Sequence, residues 1–280
     1  MTAKRLTQRP VEKPWGRRDL PRYFERFAAG RNPIGEIWFE DRENPDRQLL
    51  VKYLFTSERL SIQVHPDREA ATAAGYPDGK DEAWLIVAAE EGAEIGLGLR
   101  ERISPGELRA AALDGTIVDF MDWRPAAAGD FYYSPAGTVH ALGPGLSLIE
   151  VQQNVDATYR LYDYGRPREL HLDEAIAVAN PGPFEKTDTC REIDDGRVVL
   201  KGDAAFVVER WTGTMSGTLG AAAEMPVWII PLAGTGSIDG EPLRSGDVWV
   251  ADDRVDLTLD MGAEALVAYE AEGYRRDLIC

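Results

Sequence analysis

Ser61-Ile62-Gln63-Val64-His65-Pro66-Asp67 alternates polar and apolar residues and stops at a proline. That alternation is the pattern of a half-buried strand. Residues two apart in a strand share a face, so Ser61, Gln63 and His65 point one way and Ile62 and Val64 the other. Pro66 has no N–H to continue a ladder and ends the strand. An amide oxygen and an imidazole on one face can bind a metal if more ligands come from elsewhere in the chain. Without them, Gln63 and His65 simply hydrogen-bond beside a turn.

Working outward, Ile34–Glu40 and Gln48–Phe55 read as strands, the second buried on both faces for much of its length. Arg68 to Ala74 is short and alanine-rich, which suits a helical turn. Lys80 to Val87 is a strand in which Glu82 leads an apolar run, an awkward place for a carboxylate unless something binds it. Lys80 or a nearby arginine could supply a salt bridge instead. Ser104-Pro105-Gly106-Glu107 is a helix start, with Ser as N-cap and Glu three residues on. That helix should run to about Asp114 and stop at Gly115. Ile117 to Met121 suits another short helical turn. Gly129 to His140 is a strand of aromatics leading through Pro135-Ala136-Gly137 to His140. Ser147 to Gln152 is a strand with Glu150 and Gln152 on one face. Asp173 to Ala179 reads as helix with Asp173 as cap.

Residues 1–30 are basic and punctuated by Pro10, Pro14 and Pro21, against long helices there. Asn180-Pro181-Gly182-Pro183 is a stop and marks a division into domains 1–183 and 184–280. Beyond it the chain reads as nearly all β. Arg197–Lys201, Ala205–Trp211, Pro226–Pro231, Asp247–Ala251 and Leu266–Ala271 are strand-like, with Gly234, Gly236, Gly240 and Gly246 between them. Many short strands with regular turns mean a sandwich or barrel. Gly246-Asp247-Val248-Trp249-Val250 echoes Gly129-Asp130-Phe131-Tyr132-Tyr133, but all three histidines lie before residue 172. The expected fold is therefore mainly β, with two related barrels and a few short helices, only the first barrel equipped for metal. Which barrel the N-terminal strands join is not readable from the sequence.

Composition limits the partners. The chain has 280 residues, 44% hydrophobic and 28% charged, as in an ordinary globular protein. Its 31 basic and 48 acidic residues give −17, which repels nucleic acid and anionic membranes. An anionic substrate would need a local basic cluster. Only Cys190 and Cys280 could pair, so there is no disulfide framework. No apolar run has the length of a membrane span, and residues 1–21 lack the apolar core of a signal peptide. A cytoplasmic location is expected.

Gln63, His65, Glu82 and His140 together form a set of two nitrogens and two oxygens. Such a set suits a divalent first-row metal with open positions, Zn2+ first. His171, just before a helix and without a ligand-like neighbour, reads as a surface or capping residue.

Gly129-x5-Pro135-x-Gly137-x2-His140 resembles the second signature of the cupin jelly-roll barrels. Gln63-Val64-His65 resembles their first signature with its leading histidine replaced by glutamine. That replacement, with Leu60–Asp67 and Lys80-x-Glu82, is similar to the type I mannose-6-phosphate isomerase (phosphomannose isomerase) family. The resemblance continues through Lys13-Pro14-Trp15-Gly16, Gly35-Glu36-x-Trp38, Ala136–Ala141 and Ile149–Arg160. It covers residues 13 to 180 densely and the rest by architecture, and fits the shorter bacterial form without a large helical insert.

The resemblance implies two cupin-like barrels, the second degenerate and metal-free. It implies one Zn2+ per chain on Gln63, His65, Glu82 and His140, and a catalytic role for Arg160. Ser61, Lys80 and Arg166 match positions near the substrate, where they would bind a sugar phosphate. The implied reaction interconverts mannose 6-phosphate and fructose 6-phosphate through an enediol, with Glu150 as a candidate base. Two other readings stay open: a related sugar or sugar-phosphate isomerase or epimerase, and a non-catalytic sugar-binding regulatory cupin. The chain departs from the pattern at Arg17, where the family often has a second glycine, and at Leu142, where longer members place tyrosine. Both departures bear on substrate identity more than on reaction type.

Overall fold

The computed structural model describes residues 3–185, 190–194 and 196–280. The first part of the chain gives β1 (Ala3–Arg5), β2 (Thr7–Arg17), β3 (Ile34–Glu40), β4 (Leu49–Phe55), β5 (Ile62–Val64), α1 (Arg68–Ala73), β6 (Glu82–Ala89) and β7 (Glu94–Leu99). It continues with α2 (Pro105–Asp114), α3 (Ile117–Phe120), β8 (Met121–Pro125), β9 (Phe131–Ser134), β10 (His140–Leu142), β11 (Leu146–Gln153), β12 (Tyr159–Tyr162) and α4 (Leu172–Val178). The remainder is β13 (Arg191–Asp194), β14 (Arg197–Lys201), β15 (Val207–Thr212), β16 (Met215–Leu219), β17 (Val227–Ala233), β18 (Gly236–Ile238), β19 (Glu241–Pro242), β20 (Trp249–Ala251), β21 (Val255–Leu259) and β22 (Glu264–Tyr269). The chain is mainly β, as the sequence leads one to expect.

These strands form two pairs of antiparallel sheets. The first pair has the orders β2-β3-β4-β11-β6-β9 and β12-β5-β10-β7-β8. The second has β1-β20-β17-β22-β15-β14-β13 and β16-β21-β18-β19. β1 thus joins the second pair while β2 joins the first, which settles the placement of the N-terminal strands. The junction read at 183/184 adjoins residues 186–189, which lie outside the described residues.

Strand alternation sorts the side chains into layers. Inside the first pair, Trp15, Leu54, Trp84, Ile86, Ile95 and Leu148 share one apolar cluster. The opposite face of β3, β4 and β11 carries Ile37, Phe39, Val51, Tyr53, Ile149 and Val151, which pack on Val208, Trp228, Ile230, Val250 and Leu266 of the seven-stranded sheet and on Phe206 just before β15. The two larger sheets are therefore glued back to back by burial of apolar surface, and every residue of β4 is buried. The outer face of the five-stranded sheet is covered by α2, α3 and α4 through Leu108, Ala111, Ile117 and Ala175. Inside the second pair, Arg197 donates three hydrogen bonds to Glu209, which also accepts from Trp211 and Tyr269.

Local signals act as the sequence suggests in α2, where Ser104 and Glu107 form a reciprocal capping box and Gly115 closes the helix with φ +85°. α4 departs from expectation. It begins at Leu172 with His171 in the N-cap position, making no side-chain cap bond, and Asp173 sits inside the first turn. The helix is set by packing of Ala175, Leu172 and Ile176 on the five-stranded sheet, not by a cap.

Candidate metal centre

The cleft lies between the two sheets of the first pair. In β5 and its neighbours, His140 and Arg160 both register with Gln63, one from β10 and the other from β12. Directly opposed residues of antiparallel strands share a face, so this register places all three side chains on one side of the sheet. Across the cleft, Glu150 registers with Lys52 and Trp84, Gln152 with Glu82, and Lys52 with Trp38. The inner face of the six-stranded sheet thus carries a polar ladder beside the apolar cluster of Leu54, Trp84, Ile86 and Leu148, while its outer face is the apolar layer just described.

Three donors converge. His65 and His140 are each 1% exposed and Glu82 2%, and one ligand atom from each lies within 4.8 Å of the others. His65 Nε2 is 3.0 Å from Glu82 Oε1, and His140 Nε2 is 3.5 Å from Glu82 Oε2. The Nδ1 atoms of both rings face backbone carbonyls, Ala157 O and Thr138 O, each at 2.9 Å. Donation from Nδ1 leaves each Nε2 lone pair aimed at the carboxylate. Gln63 lies beside them, its amide nitrogen 3.2 Å from His140 Nε2 and its Oε1 accepting from Ser61 Oγ at 3.2 Å. A half-turn of the amide would exchange the two positions and bring the oxygen inward.

Electrostatics favour the ligand forms. Burial and the neighbouring Lys80 lower the His65 pKa to about 4, and burial lowers that of His140. Burial works to raise Glu82, but Lys80 and the two imidazoles overcome it and hold the carboxyl well below the ordinary range. At neutral pH the site thus offers two neutral imidazoles and a carboxylate, the states a metal needs. Buried, convergent and already deprotonated, the donor set fits a divalent cation.

The remaining expected residues are placed as follows. Ser61 and Lys80 line the cleft, with Lys80 Nζ 2.7 Å from Glu82 Oε1. Arg160 is half-buried at its edge, its Nη1 donating to Glu169 O at 3.3 Å, and among the described residues no acidic side chain is paired with it. Glu150 is held by Lys52 Nζ at 3.0 Å and by Trp84 Nε1 at 3.1 Å. Arg166 is not brought to the cleft: it bonds Asp163, Glu58 and Arg59 O. Arg168, clasped by Asp163 through two bonds of 2.6 Å, lines it instead. His171 is half-buried, and its Nδ1 accepts from Arg160 N at 3.3 Å.

Sequence reasoning assigned no role to Lys52, Glu36, Trp38 or Arg168, all of which line the cleft. Lys52 gave a usable signal: it is the one charge in the otherwise apolar Leu49–Phe55 run.

No family profile matches the chain. Over 234 residues it is 36% identical to a mannose-6-phosphate isomerase of Streptococcus mutans serotype c, covering 77% of this chain and 73% of that protein. Among solved structures, the mannose 6-phosphate isomerase of Bacillus subtilis superposes with a TM-score of 0.81 at 28% identity, covering 96% of this chain and 99% of the other. A zinc-bound mannose 6-phosphate isomerase shares the fold, with a TM-score of 0.70 at 13% identity over 96% of this chain and all of the other (100%).

Proposed function

The chain belongs to the mannose-6-phosphate isomerase family, and on that premise we propose that it interconverts mannose 6-phosphate and fructose 6-phosphate by moving a proton between C1 and C2 through an enediol. The observation that carries this reading is the buried convergence of His65, Glu82 and His140 in a cleft whose edge holds Arg160. His65 and His140 through Nε2, Glu82 through its carboxylate and Gln63 through its amide oxygen would hold one Zn2+. When bound, such an ion supplies Lewis-acid stabilisation of charge on the sugar oxygens.

The rest of the chemistry falls to side chains. Arg160 extends a guanidinium toward the cleft, where it can meet oxyanion charge as the enediolate develops. Glu150 is the candidate proton carrier. Lys52 and the Trp84 indole each occupy one of its oxygens, so it is held in a single orientation. Ser61, Lys80 and Arg168 are the groups offered to the phosphorylated sugar. Arg166, engaged in its own ion pairs, acts on the cleft through Asp163, which it shares with Arg168. Leu142 forms part of the wall and favours sugars that need no hydroxyl partner there.

No described helix is long and apolar enough to cross a membrane. A cytoplasmic location belongs to this proposal. The test is an assay on mannose 6-phosphate before and after chelation, with zinc restored. Turnover that chelation abolishes and zinc restores is the expected result; full activity in the chelated protein would sink the metal-dependent reading.

A further inference from the structure

The turn at Pro135–Thr138 is bonded to every segment that carries a clustered donor. Thr138 N donates to Pro135 O at 3.1 Å, and Gly137 has φ +82°, so glycine occupies the left-handed third position of a tight turn. Ala136 N donates to Asp81 Oδ1 at 2.7 Å. Gly137 N donates to His65 O at 2.8 Å. Thr138 O accepts from His140 Nδ1 at 2.9 Å. His65 and His140 are thus fixed by backbone groups of the turn itself. Glu82 stands in the ladder between Ser134 of β9 and Gln152 of β11, and its link to the turn itself runs through its neighbour, Asp81.

Asp81 is fastened on every side. Its N–H donates to Gln153 Oε1 at 3.0 Å, and its carbonyl accepts from Gln153 N at 3.2 Å. Its second carboxylate oxygen takes the Tyr133 hydroxyl. Both oxygens are engaged away from the donor cluster, so Asp81 is not a ligand. Beyond it, the Tyr133 ring meets Phe206 at 5.8 Å, and Lys201 Nζ lies 5.1 Å from the ring centroid. The carboxylate therefore stands between the donor cluster and the seven-stranded sheet.

We infer that Asp81 is a positioning residue for the metal centre, its carboxylate locking the start of β6, and with it Glu82, onto the turn that orients His65 and His140. This rests on the metal-binding reading above. Partners that orient ligands in this way typically cost about 10–100-fold in metal affinity when removed. Loss of the carboxylate leaves the ligands present but lets Glu82 drift from the two imidazoles.

The test is zinc competition against a chromophoric chelator, with thermal melting of the metal-free proteins run alongside. Asp81→Ala is expected to bind zinc about 10–100-fold more weakly while its metal-free form melts close to the parent. Asp81→Asn keeps an oxygen for Ala136 N and should restore most of the affinity, because the Tyr133 hydroxyl can turn to accept from the amide. Parent-like affinity in a folded Asp81→Ala protein overturns the inference, as does Asp81→Asn binding as weakly as Asp81→Ala. Should Asp81→Ala not fold, Tyr133→Phe, which removes only the hydroxyl, must still weaken zinc binding; no change there overturns it too. A parent protein that takes up no zinc fails at the earlier step, the metal centre itself, and carries this inference down with it.

Discussion

Arg160 reaches the cleft from β12, directly across from Gln63, with its guanidinium held by one backbone carbonyl and no carboxylate among the described residues. An arginine in an ion pair spends its charge on its partner; this one can meet charge that arises only as the reaction proceeds. Arg160→Ala should keep its zinc and its fold and lose about 10²–10³ in kcat, with KM little changed. Lys80→Ala tests the phosphate contact proposed for that residue: such a contact is nearly equal in ground and transition states, so its loss should mainly raise KM. Steady-state kinetics of the two variants separate these outcomes, and parent-like turnover in Arg160→Ala would remove its assigned role. The placement of these side chains was legible residue by residue: Gln63, His65, Glu82 and His140 lie together, as the family resemblance implies, and Arg160 lines the same cleft. Arg166 and Arg168 could not be told apart, because they sit three and five residues from Asp163 in an irregular loop with no period to say which one turns inward.

The Pro135–Thr138 turn shows how an element fixes a site. Gly137 has φ +82°, and a Cβ there would lie 3.2 Å from Val178 O. A left-handed conformation costs a residue with a side chain about 1–2 kcal/mol. Gly137→Ala should therefore melt lower and also hold zinc less tightly, because the turn carries Thr138 O to His140. Calorimetry with and without zinc reads both effects, and a variant that lost stability but kept parent zinc affinity would separate the turn from the site. Among strands, β3, β4, β6 and β11 were readable because burial on one or both faces writes a period or an apolar run. β2 was not: its Pro10 and Pro14 argue against a strand, yet it pairs only with β3 at a sheet edge, where missing N–H groups are tolerated. β7 was hidden by Gly96 and Gly98, which deny the pattern its side chains. A Cβ at Gly96 would lie 2.7 Å from Met121 Cε and 3.2 Å from the Trp123 ring, so a side chain there would have to displace them. In the second half every strand read from sequence belongs to the seven-stranded sheet. The four-stranded sheet went unread because short strands such as Met215–Leu219, with Ser, Gly and Thr in them, carry no apolar run.

Across the whole molecule, Arg47 is clamped between Asp41 of the first half, at 2.7 and 3.0 Å, and Asp252 just after β20, at 2.6 Å from Nη2. Burial works to raise the Asp41 pKa, but bonds from Arg47 and from the Glu43 and Asn44 N–H groups outweigh it, and the net shift is downward. A carboxyl whose pKa is lower folded than unfolded stabilises the fold above the unfolded value of about 3.9 and loses that contribution as pH falls through the folded value. Arg47→Gln should therefore melt below the parent at pH 7, with the gap closing as the solution is acidified below about pH 4. Melting curves across pH 3–7 check this, and a gap independent of pH would mean the clamp acts by packing alone. The pairing of β1 with β20 has a consequence for how the protein is made. Chains emerge from the ribosome N-terminus first, so Ala3–Arg5 has no partner until Trp249–Ala251 has been translated. The apolar outer face of β3, β4 and β11 stays uncovered for the same interval. The half that carries the candidate metal centre is completed early but stands as a sticky nascent species until the last strands arrive. Slowed translation of the final third should therefore harm yield more than slowed translation of the first.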